Sequence, residues 1–226
     1  MKGFGRVNKQ DYIIQSIRPG SKVLHIGCTN SPNTYKRWES GTLLHKILCD
    51  KAVRMGAKVI GIDIDDEGIE FLKQKMPNEE IFNIDAHCLS EKLEERSFDL
   101  IIAGDVIEHL PNPGLFLDSC AQVLVPDGRI IITTTNAFGI VRFVKALLFH
   151  EAVHDEHTAY FSHKVLSRLF KMSGLCVDSL GYYKCEPLDR LDLNRAISNT
   201  IENVFCVFFP QFSEGVIAVA KKRYET

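Results

Sequence analysis

Short, nearly continuous apolar runs alternate with amphipathic segments along most of this chain. Runs bounded by Gly, Pro and polar residues are typical of strands that are buried on both faces of a sheet. They predict strands at residues 22–26, 59–62, 81–84, 98–103, 129–134, 175–182 and 216–220. Apolar residues at helical spacing, with capping residues and Gly or Pro at the ends, predict helices at 9–18, 42–55, 66–75, 114–124, 138–149 and 162–173.

This order of elements predicts an α/β fold. Repeated βα units joined by right-handed crossovers give a Rossmann-like, doubly wound, mostly parallel seven-stranded sheet, with an antiparallel last strand. The length favours a single domain over residues 1–226. Segments outside the regular alternation, at about 1–18, 33–56, 138–161 and 184–212, are predicted to cover a substrate at the carboxyl ends of the strands.

Composition narrows the class of protein. The 27 Lys and Arg residues nearly balance the 29 Asp and Glu residues, for a net charge of −2. No like-charge block offers a surface for nucleic acid. The seven cysteines stand singly, without a CxxC pair, and the first residues carry no signal-peptide pattern. We therefore expect reduced thiols in a cytoplasmic protein. No apolar stretch approaches the roughly 20 residues of a membrane-spanning helix.

The stretch VLHIGCTNSP, residues 23–32, is predicted to be a nucleotide-facing turn. Gly27 ends an apolar run, and a glycine at the end of a strand lets a ligand approach the main chain without meeting a Cβ. Asn30 and Ser31 stand where dinucleotide-binding fingerprints have further glycines. Because Asn tolerates a left-handed backbone, the turn can survive the substitution.

Acidic residues follow the next strands at the same predicted sheet edge. Asp63 lies just beyond Ile62 in VIGIDID, where a carboxylate could accept hydrogen bonds from both hydroxyls of a ribose; a turn or helix-capping role is the alternative. Asp85 and Ala86 lie in NIDAH, where they could recognise an adenine edge, against the alternative of a solvated loop acid. Three titratable residues close the stretch FDLIIAGDVIEHL: Asp105, Glu108 and His109.

Five stretches resemble, in this order, the successive motifs of class I S-adenosylmethionine-dependent methyltransferases. They are VLHIGC, VIGIDID, NIDAH, FDLIIAGDVIEHL and LVPDGRIIITTTN. The resemblance covers roughly residues 21–136 and continues more faintly through HTAYFSHKVLSRLFKMSGL. It implies a transferase with S-adenosyl-L-methionine as cofactor and S-adenosyl-L-homocysteine as product. It does not specify the methyl acceptor.

The resemblance also implies residue roles. Gly27, Cys28 and Thr29 would line the methionine end of the cofactor, and Asp105 would sit beside the transferring methyl group. His25 stands where the family has an acid, which puts contacts to the methionine amine in doubt.

At the nucleoside end, the resemblance implies four further cofactor-binding residues. Asp63 would hold the ribose hydroxyls while Ile64 packs on the adenine. Asp85 and Ala86 would recognise the adenine amine and ring.

Histidines near this edge are candidates for proton transfer. Methyl transfer from a sulfonium mainly requires alignment and exclusion of water, but a hydroxyl acceptor benefits from a general base. We predict His109, His157 and Asp105 as catalytic residues, with His154 as a further candidate. A surface or structural role is the alternative for each histidine, and Glu108 could simply favour a helix dipole.

A metal site is the competing interpretation of the same residues. Glu108, His109 and His157 could supply oxygen and imidazole ligands, and DVIEHL and HDEHTAYF bear some resemblance to the metal-binding segments of small-RNA 3′-terminal 2′-O-methyltransferases. However, Asp105 stands where that group has a glutamate, and the chain lacks a basic surface. Our prediction therefore includes no metal.

Together these patterns predict O-methylation of a small molecule or of a glycan or cell-surface precursor. The glycan association rests on the similarity of GCTNSPNTYKRWESGTLLH and the His-rich loop to methyltransferases of cell-surface polysaccharide biosynthesis. The apolar region 184–212 is core, a lid or a homodimer surface. Two alternatives stay open: a metal-dependent RNA 3′-terminal 2′-O-methyltransferase, and a non-catalytic S-adenosylmethionine-binding or scaffolding domain.

Overall fold

A computed structural model describes residues 2–93, 97–149, 153–183 and 204–222 of the chain. Its strands are β1 (Lys2–Val7), β2 (Lys22–Ile26), β3 (Lys58–Asp63), β4 (Glu80–Asn83), β5 (Phe98–Gly104), β6 (Leu124–Thr135), β7 (Leu175–Tyr183) and β8 (Gly215–Lys222). Its α-helices are α1 (Lys9–Gln15), α2 (Thr34–Glu39), α3 (Leu44–Met55), α4 (Asp66–Lys75), α5 (Leu89–Lys92), α6 (Pro113–Val123), α7 (Ile140–Leu147) and α8 (His163–Met172).

The strands form one mixed sheet in the order β1-β7-β8-β6-β5-β2-β3-β4. Strand β8 runs antiparallel to both of its neighbours, β6 and β7, and the other pairs are parallel. The predicted doubly wound, mostly parallel fold with an antiparallel last strand is therefore confirmed. The strand order reverses beside β2, which places the ends of β2 and β5 at a crevice suited to a ligand.

The sheet has eight strands among the described residues, so the prediction of seven was wrong. The additional strand is β1, whose sequence KGFGRV carries two glycines and two cations and lacks an apolar run. It pairs parallel with β7, for example Gly3 with Leu180. Its pairing is a tertiary contact with residues far along the chain, and local periodicity does not report such a contact.

Most predicted helices are confirmed, with shifted ends. Asn8 caps α1 by accepting from the Asp11 amide at 3.0 Å, but α1 ends at Gln15 rather than at Arg18. Gly56 ends α3 with a left-handed φ of 60°, as the sequence indicated. The segment Thr34–Glu39, expected only as an insertion, forms α2.

The buried core lies on both faces of the sheet. Along β5, Leu100 and Ile102 pack in one cluster with α1 and α3, while Ile101 and Ala103 pack on the opposite face with α6 and α8. Burial on both faces explains why residues 100–103 of β5 form an unbroken apolar run after the exposed Asp99. Its first polar side chain after this run, Asp105, therefore emerges at the edge of the sheet.

Candidate active site

A cleft of about 420 Å³ opens at the carboxyl ends of β2, β3 and β5, within the size range of small-molecule sites. Polar groups from several loops converge on it, and apolar side chains form the rest of its wall. Its lining includes Gly27, Asn30, Ser31, Asp63, Ile64, Asp85, Ala86, His87, Asp105, Val106, His109 and Glu156. The cleft thus gathers Gly27, both acids of the predicted nucleoside site, and Asp105 and His109 of the predicted catalytic set.

Gly27 turns the chain at the end of β2. Its φ of +79° lies in the left-handed region, and a Cβ built on it would come within 2.7 Å of Cγ2 of Val106. Asn30 has a φ of 59°, so the prediction that an asparagine can keep this turn is confirmed. The turn remains open for close approach of a ligand at Gly27.

Cys28 and Thr29, which were predicted to line the methionine end of the cofactor, lie behind the wall of the cleft. Both side chains are fully buried, and neither residue belongs to the lining of the cleft; Cys28 borders only a small neighbouring hollow. The amides of Gly27 and Cys28 donate to the carbonyl of Ile62 at 3.0 and 3.1 Å, so they are engaged within the protein. In place of Cys28 and Thr29, the side chains of Asn30 and Ser31 face the cleft beside Gly27.

Asp63 is held rigidly at the end of β3. Its Oδ2 accepts from the amide and hydroxyl of Thr29 at 3.0 and 2.7 Å, and its Oδ1 accepts from the Ile64 amide at 2.8 Å. Oδ1 also accepts from the Asp65 amide at 3.3 Å, so four protein donors share the roughly four lone-pair sites of the carboxylate. A ligand hydroxyl would compete first with this longest hydrogen bond. Thr29 thereby acts as a positioning residue for Asp63.

A second acid, Asp85, lines the same cleft as Asp63. Asp85 Oδ1 accepts from the amide and the ring Nδ1 of His87 at 2.9 and 2.7 Å, and the hydrogen bond from the amide is the main cause that lowers the pKa of Asp85. Sequence reasoning missed His87, although its position two residues after Asp85 is typical of a turn in which a side chain accepts from a following amide.

These residues fit the nucleoside of S-adenosylmethionine. Asp63 can accept from ribose hydroxyls and Asp85 from an adenine amine, while Ala86 lines the cleft between polar groups. Ile64 is 68% exposed at the cleft, an unusual exposure for an isoleucine in a fixed turn, and it offers apolar surface for a flat ring. Gly27 lines the same cleft, and its lack of a Cβ leaves room for the Val106 side chain, which lines the cleft beside it.

Asp105 lies at the point where three strands end. Its φ of 54° is rare for a residue with a side chain. Its Oδ1 accepts from Thr133 Oγ1 at 3.0 Å and from the Tyr183 hydroxyl at 2.6 Å. Its Oδ2 forms an ion pair with Lys9 Nζ. Burial by itself would raise the pKa of Asp105, but Lys9 and these donors outweigh it and hold the pKa below its usual value. Asp105 is therefore a fixed negative charge at neutral pH.

His25 forms a buried pair with His45 beneath the Gly27 turn. Their Nδ1 atoms are 3.2 Å apart and the rings stack, with centroids 5.3 Å apart. Burial lowers the pKa of His25 well below its usual value and that of His45 to about 4, so both rings are neutral at pH 7. His25 thus packs inside the protein as a neutral ring. It does not supply the negative charge of the acid that the family has at this position of the first motif.

The predicted catalytic histidines meet on one side of the cleft. The rings of His109 and His157 approach edge to face with centroids 4.7 Å apart, and His154 lies next to His157 at 4.8 Å. Burial and the neighbouring histidines lower the pKa of His157 to about 4, which keeps it neutral at pH 7. Beside them, burial and then Asp105 raise the pKa of Glu108 to about 7.

Glu108, His109 and His157 come together closely enough to share an ion. One ligand atom from each of the three lies within 4.8 Å of the others, although the residues come from two different loops. The metal site, which the sequence offered as the competing interpretation of these residues, is therefore geometrically possible in the fold. Sequence spacing alone could not show this, since His157 is far from the other two along the chain.

The segments predicted to cover the substrate differ in burial. Helix α7 has no buried residue, and Phe143 and Leu147 are exposed. Residues 184–203, which carry most of the predicted apolar region, lie outside the described part of the chain. In the rest of that region Cys206 is buried while Val207 and Phe208 are exposed. No helix within the described ranges is long and apolar enough to cross a membrane.

Residues 41–132 match the family model described as methyltransferase domain. The chain is 33% identical over 137 residues to a ubiquinone biosynthesis O-methyltransferase of Nitrobacter winogradskyi, covering 57% of this chain and 52% of the relative. It is 27% identical over 174 residues to the mitochondrial ubiquinone biosynthesis O-methyltransferase of Bos taurus, covering 71% of this chain and 43% of the relative. The chain thus spans about half the length of the curated relatives it matches.

Solved structures agree at the level of the fold. A methyltransferase from Archaeoglobus fulgidus described as S-adenosylmethionine-dependent superposes with a TM-score of 0.63 at 16% identity, covering 95% of this chain and 91% of that one. One from Methanosarcina mazei also gives 0.63 at 16% identity, covering 97% and 100%. These matches show that residues 41–132 are similar to the methyltransferase domain model and that the chain has the fold of S-adenosylmethionine-dependent methyltransferases.

Proposed function

We propose that this chain transfers the methyl group of S-adenosylmethionine to a hydroxyl oxygen of a small-molecule acceptor. The observation that carries the proposal is the cleft, which joins the nucleoside-type acids Asp63 and Asp85 to the titratable group His109 in one space. When bound, the cofactor supplies an electrophilic methyl group on a positively charged sulfur.

Some residues of the cleft bind the cofactor, and others take part in proton transfer. Asp63, Ile64, Asp85 and Ala86 bind the nucleoside, and Asp105 provides a fixed negative charge near the site of transfer. His109 lines the cleft, whereas the low pKa of His157 makes it a weak base. We therefore assign to His109 the acceptance of the acceptor's hydroxyl proton, with His157 packed against its ring.

The acceptor is the finer part of the proposal. The relatives above are named for O-methylation in ubiquinone biosynthesis, which supports a hydroxylated small molecule as acceptor. Ubiquinone precursors are accordingly the first acceptors to test. A glycan or cell-surface precursor is the second class, and its support is the sequence similarity of residues 27–45 and of the His-rich loop.

The RNA alternative requires both a metal ion and a nucleic-acid acceptor. The approach of Glu108, His109 and His157 favours a metal ion, but the net charge of −2 offers little attraction for a phosphate backbone. We keep RNA as an acceptor to be tested and not as the function proposed. The non-catalytic alternative differs from both in predicting no turnover.

Isothermal titration calorimetry with S-adenosylmethionine tests the proposal. We expect binding by the wild-type protein, loss of most of it in Asp63→Ala, and an intermediate loss in Asp63→Asn, which keeps the shape of the side chain. Glu67→Ala is the matched control, since Glu67 is an exposed acid on the next helix and does not line the cleft. Thermal unfolding of each variant confirms that it is folded.

Binding should be followed by mass spectrometry of candidate acceptors after incubation with the cofactor. A mass increase of one methyl group on a ubiquinone precursor or a glycan precursor supports the corresponding acceptor. No binding at millimolar cofactor would overturn the proposal. Binding without turnover on any acceptor would favour the non-catalytic alternative, and unchanged affinity in Asp63→Ala would show that the ribose contact is wrongly placed.

A further inference from the structure

A small hollow of about 60 Å³ adjoins the main cleft and is lined in part by residues of helices α1, α2 and α3. Both spaces share four lining residues, which are Gly27, Asn30, Gly104 and Asp105. A volume of this size holds a few water-sized groups, since each needs about 10–15 Å³. The hollow therefore suits a small polar end group of a ligand that lies in the cleft.

The lining of this hollow carries a positive charge in excess. Lys9 and Asp105 form an ion pair, so their charges offset each other. Burial lowers the pKa of His25 well below its usual value and raises that of the Cys28 thiol, so both are neutral at pH 7. The remaining charged residue of the lining is Arg37. The hollow therefore favours an anionic group.

Arg37 also brings an unused donor to the hollow. Its Nε is buried and has no hydrogen-bond partner within the described part of the chain. None of the ion pairs between described residues includes its guanidinium. A buried donor without a partner is unfavourable, and an anion that accepts from it would relieve this cost.

The backbone of Arg37 is held where α2 leads into α3. Its carbonyl accepts from the amides of Thr42 and Leu43 at 2.8 and 3.0 Å, and Leu43 is buried in the core. The next residue, Trp38, meets the Phe71 ring edge to face with centroids 5.9 Å apart, which joins α2 to α4. Arg37 is thus presented to the hollow by a fixed segment.

The methionine end of S-adenosylmethionine carries an α-carboxylate that needs a partner of this kind. The planar guanidinium of arginine matches a carboxylate with two parallel hydrogen bonds, and such charge-assisted pairs are stronger than neutral ones. Cys28 and Thr29, which the resemblance assigned to this end, are fully buried and do not line the cleft. Arg37 can supply the contact that these two side chains do not make.

We propose that Arg37 binds the carboxylate of S-adenosylmethionine and thereby makes the protein selective for ligands that keep this carboxylate. The proposal rests on the proposed function only in that the cofactor occupies the cleft. Arg37 lies outside the five stretches that resemble methyltransferase motifs and before the matched residues 41–132, so neither assigns it this role. Helix α2 is then a specificity element of this chain.

Titration calorimetry near neutral pH with two ligands that differ only in the carboxylate tests the proposal. These are S-adenosylmethionine and decarboxylated S-adenosylmethionine. We expect the wild type to bind the first about 10- to 100-fold more tightly, the range for hydrogen bonds to a charged group. Arg37→Gln should lose this difference, with unchanged affinity for the decarboxylated ligand. Arg37→Lys keeps the charge without the planar fork and should lose only part of it.

Lys36→Gln is the matched control, because Lys36 is an exposed cation of the same helix and does not line the hollow. It should bind both ligands as the wild type does, and an equal loss of S-adenosylmethionine affinity in this variant would overturn the assignment to Arg37. Thermal unfolding of each variant shows whether it is folded.

The outcomes separate this inference from the proposed function. Equal affinity of the wild type for the two ligands would overturn the role of Arg37 without any variant. An equal loss of both ligands in folded Arg37→Gln would make Arg37 a structural residue and overturn its selectivity, while binding of S-adenosylmethionine by the wild type would retain the proposed function. Absence of binding of either ligand to the wild type would overturn both.

Discussion

At the scale of single residues, Gly27 shows how backbone conformation shapes the cleft. Its left-handed φ is combined with a close neighbour, because Val106 Cγ2 would lie only 2.7 Å from a Cβ at this position. Gly56 has a similar φ of +60° but no atom within 4 Å of such a Cβ. Comparing substitutions at Gly27 and Gly56 therefore separates the cost of backbone strain from the cost of a steric clash.

We expect Gly56→Ala to lower the free energy of unfolding by about 1 kcal/mol through backbone strain alone. Gly27→Ala should lower it further and weaken S-adenosylmethionine binding by at least about 10-fold, equivalent to about 1.4 kcal/mol. Urea denaturation and titration calorimetry measure the two effects. Equal stability of the two variants, with normal cofactor affinity in Gly27→Ala, would contradict this account of the turn.

The His25–His45 pair predicts a dependence of stability on pH. The pKa of His45 is about 4 in the folded protein and about 6.5 when unfolded, so the unfolded chain binds more protons between these values. Stability must therefore fall as pH falls through this window. From pH 7 to pH 5 the His45 contribution amounts to about 2 kcal/mol.

His45→Gln keeps a polar neighbour for His25 but cannot titrate. Its free energy of unfolding should decline by about 2 kcal/mol less than that of the wild type between pH 7 and pH 5. Urea denaturation at both pH values measures the difference. The same decline in both proteins would mean that His45 is not a source of the acid sensitivity.

At the scale of elements, the site depends on how two loops are joined. The turn after β5 carries Glu108 and His109, and the loop before α8 carries His157; Thr158 hydrogen bonds hold one to the other. The Thr158 hydroxyl makes the contact that can be removed without changing the shape of the side chain.

Thr158→Val should lower the free energy of unfolding by about 1 kcal/mol, because it removes a partly buried hydrogen bond. Thr158→Ser restores the hydroxyl and should recover the stability. Urea denaturation measures both variants. Unchanged stability of Thr158→Val would show that the loops hold their places without this contact.

At the scale of the whole molecule, the cofactor should stabilise the fold, because its cleft is built from three strand ends of one sheet. A ligand present at 100 times its Kd stabilises a folded protein by about 2.7 kcal/mol. For a chain of this size, that corresponds to a rise in Tm of roughly 5–10 °C.

Differential scanning fluorimetry with a series of S-adenosylmethionine concentrations measures this rise. Asp63→Asn should show a smaller rise at each concentration, since its affinity is lower. The absence of any rise in the wild type, or an identical rise in the variant, would argue against binding at this cleft.

The sequence by itself determined the class of fold and identified the residues proposed to bind the nucleoside. The apolar runs that form the strands make the strand ends visible, and the acids that follow these runs, Asp63, Asp85 and Asp105, line one cleft at the carboxyl ends of the strands. Helix ends were equally visible where a cap is local, as at Asn8 and Gly56.

Only the tertiary structure decided the features that depend on distant residues. Strand β1 exists through its pairing with β7, and the buried partner of His25 is His45 on another element. The same holds for His157, which is brought to Glu108 and His109 by the packing of a loop. Local sequence patterns show which face of an element is apolar. Contacts between distant segments arise only when the elements pack, and these contacts decided which polar residues became neighbours in the site.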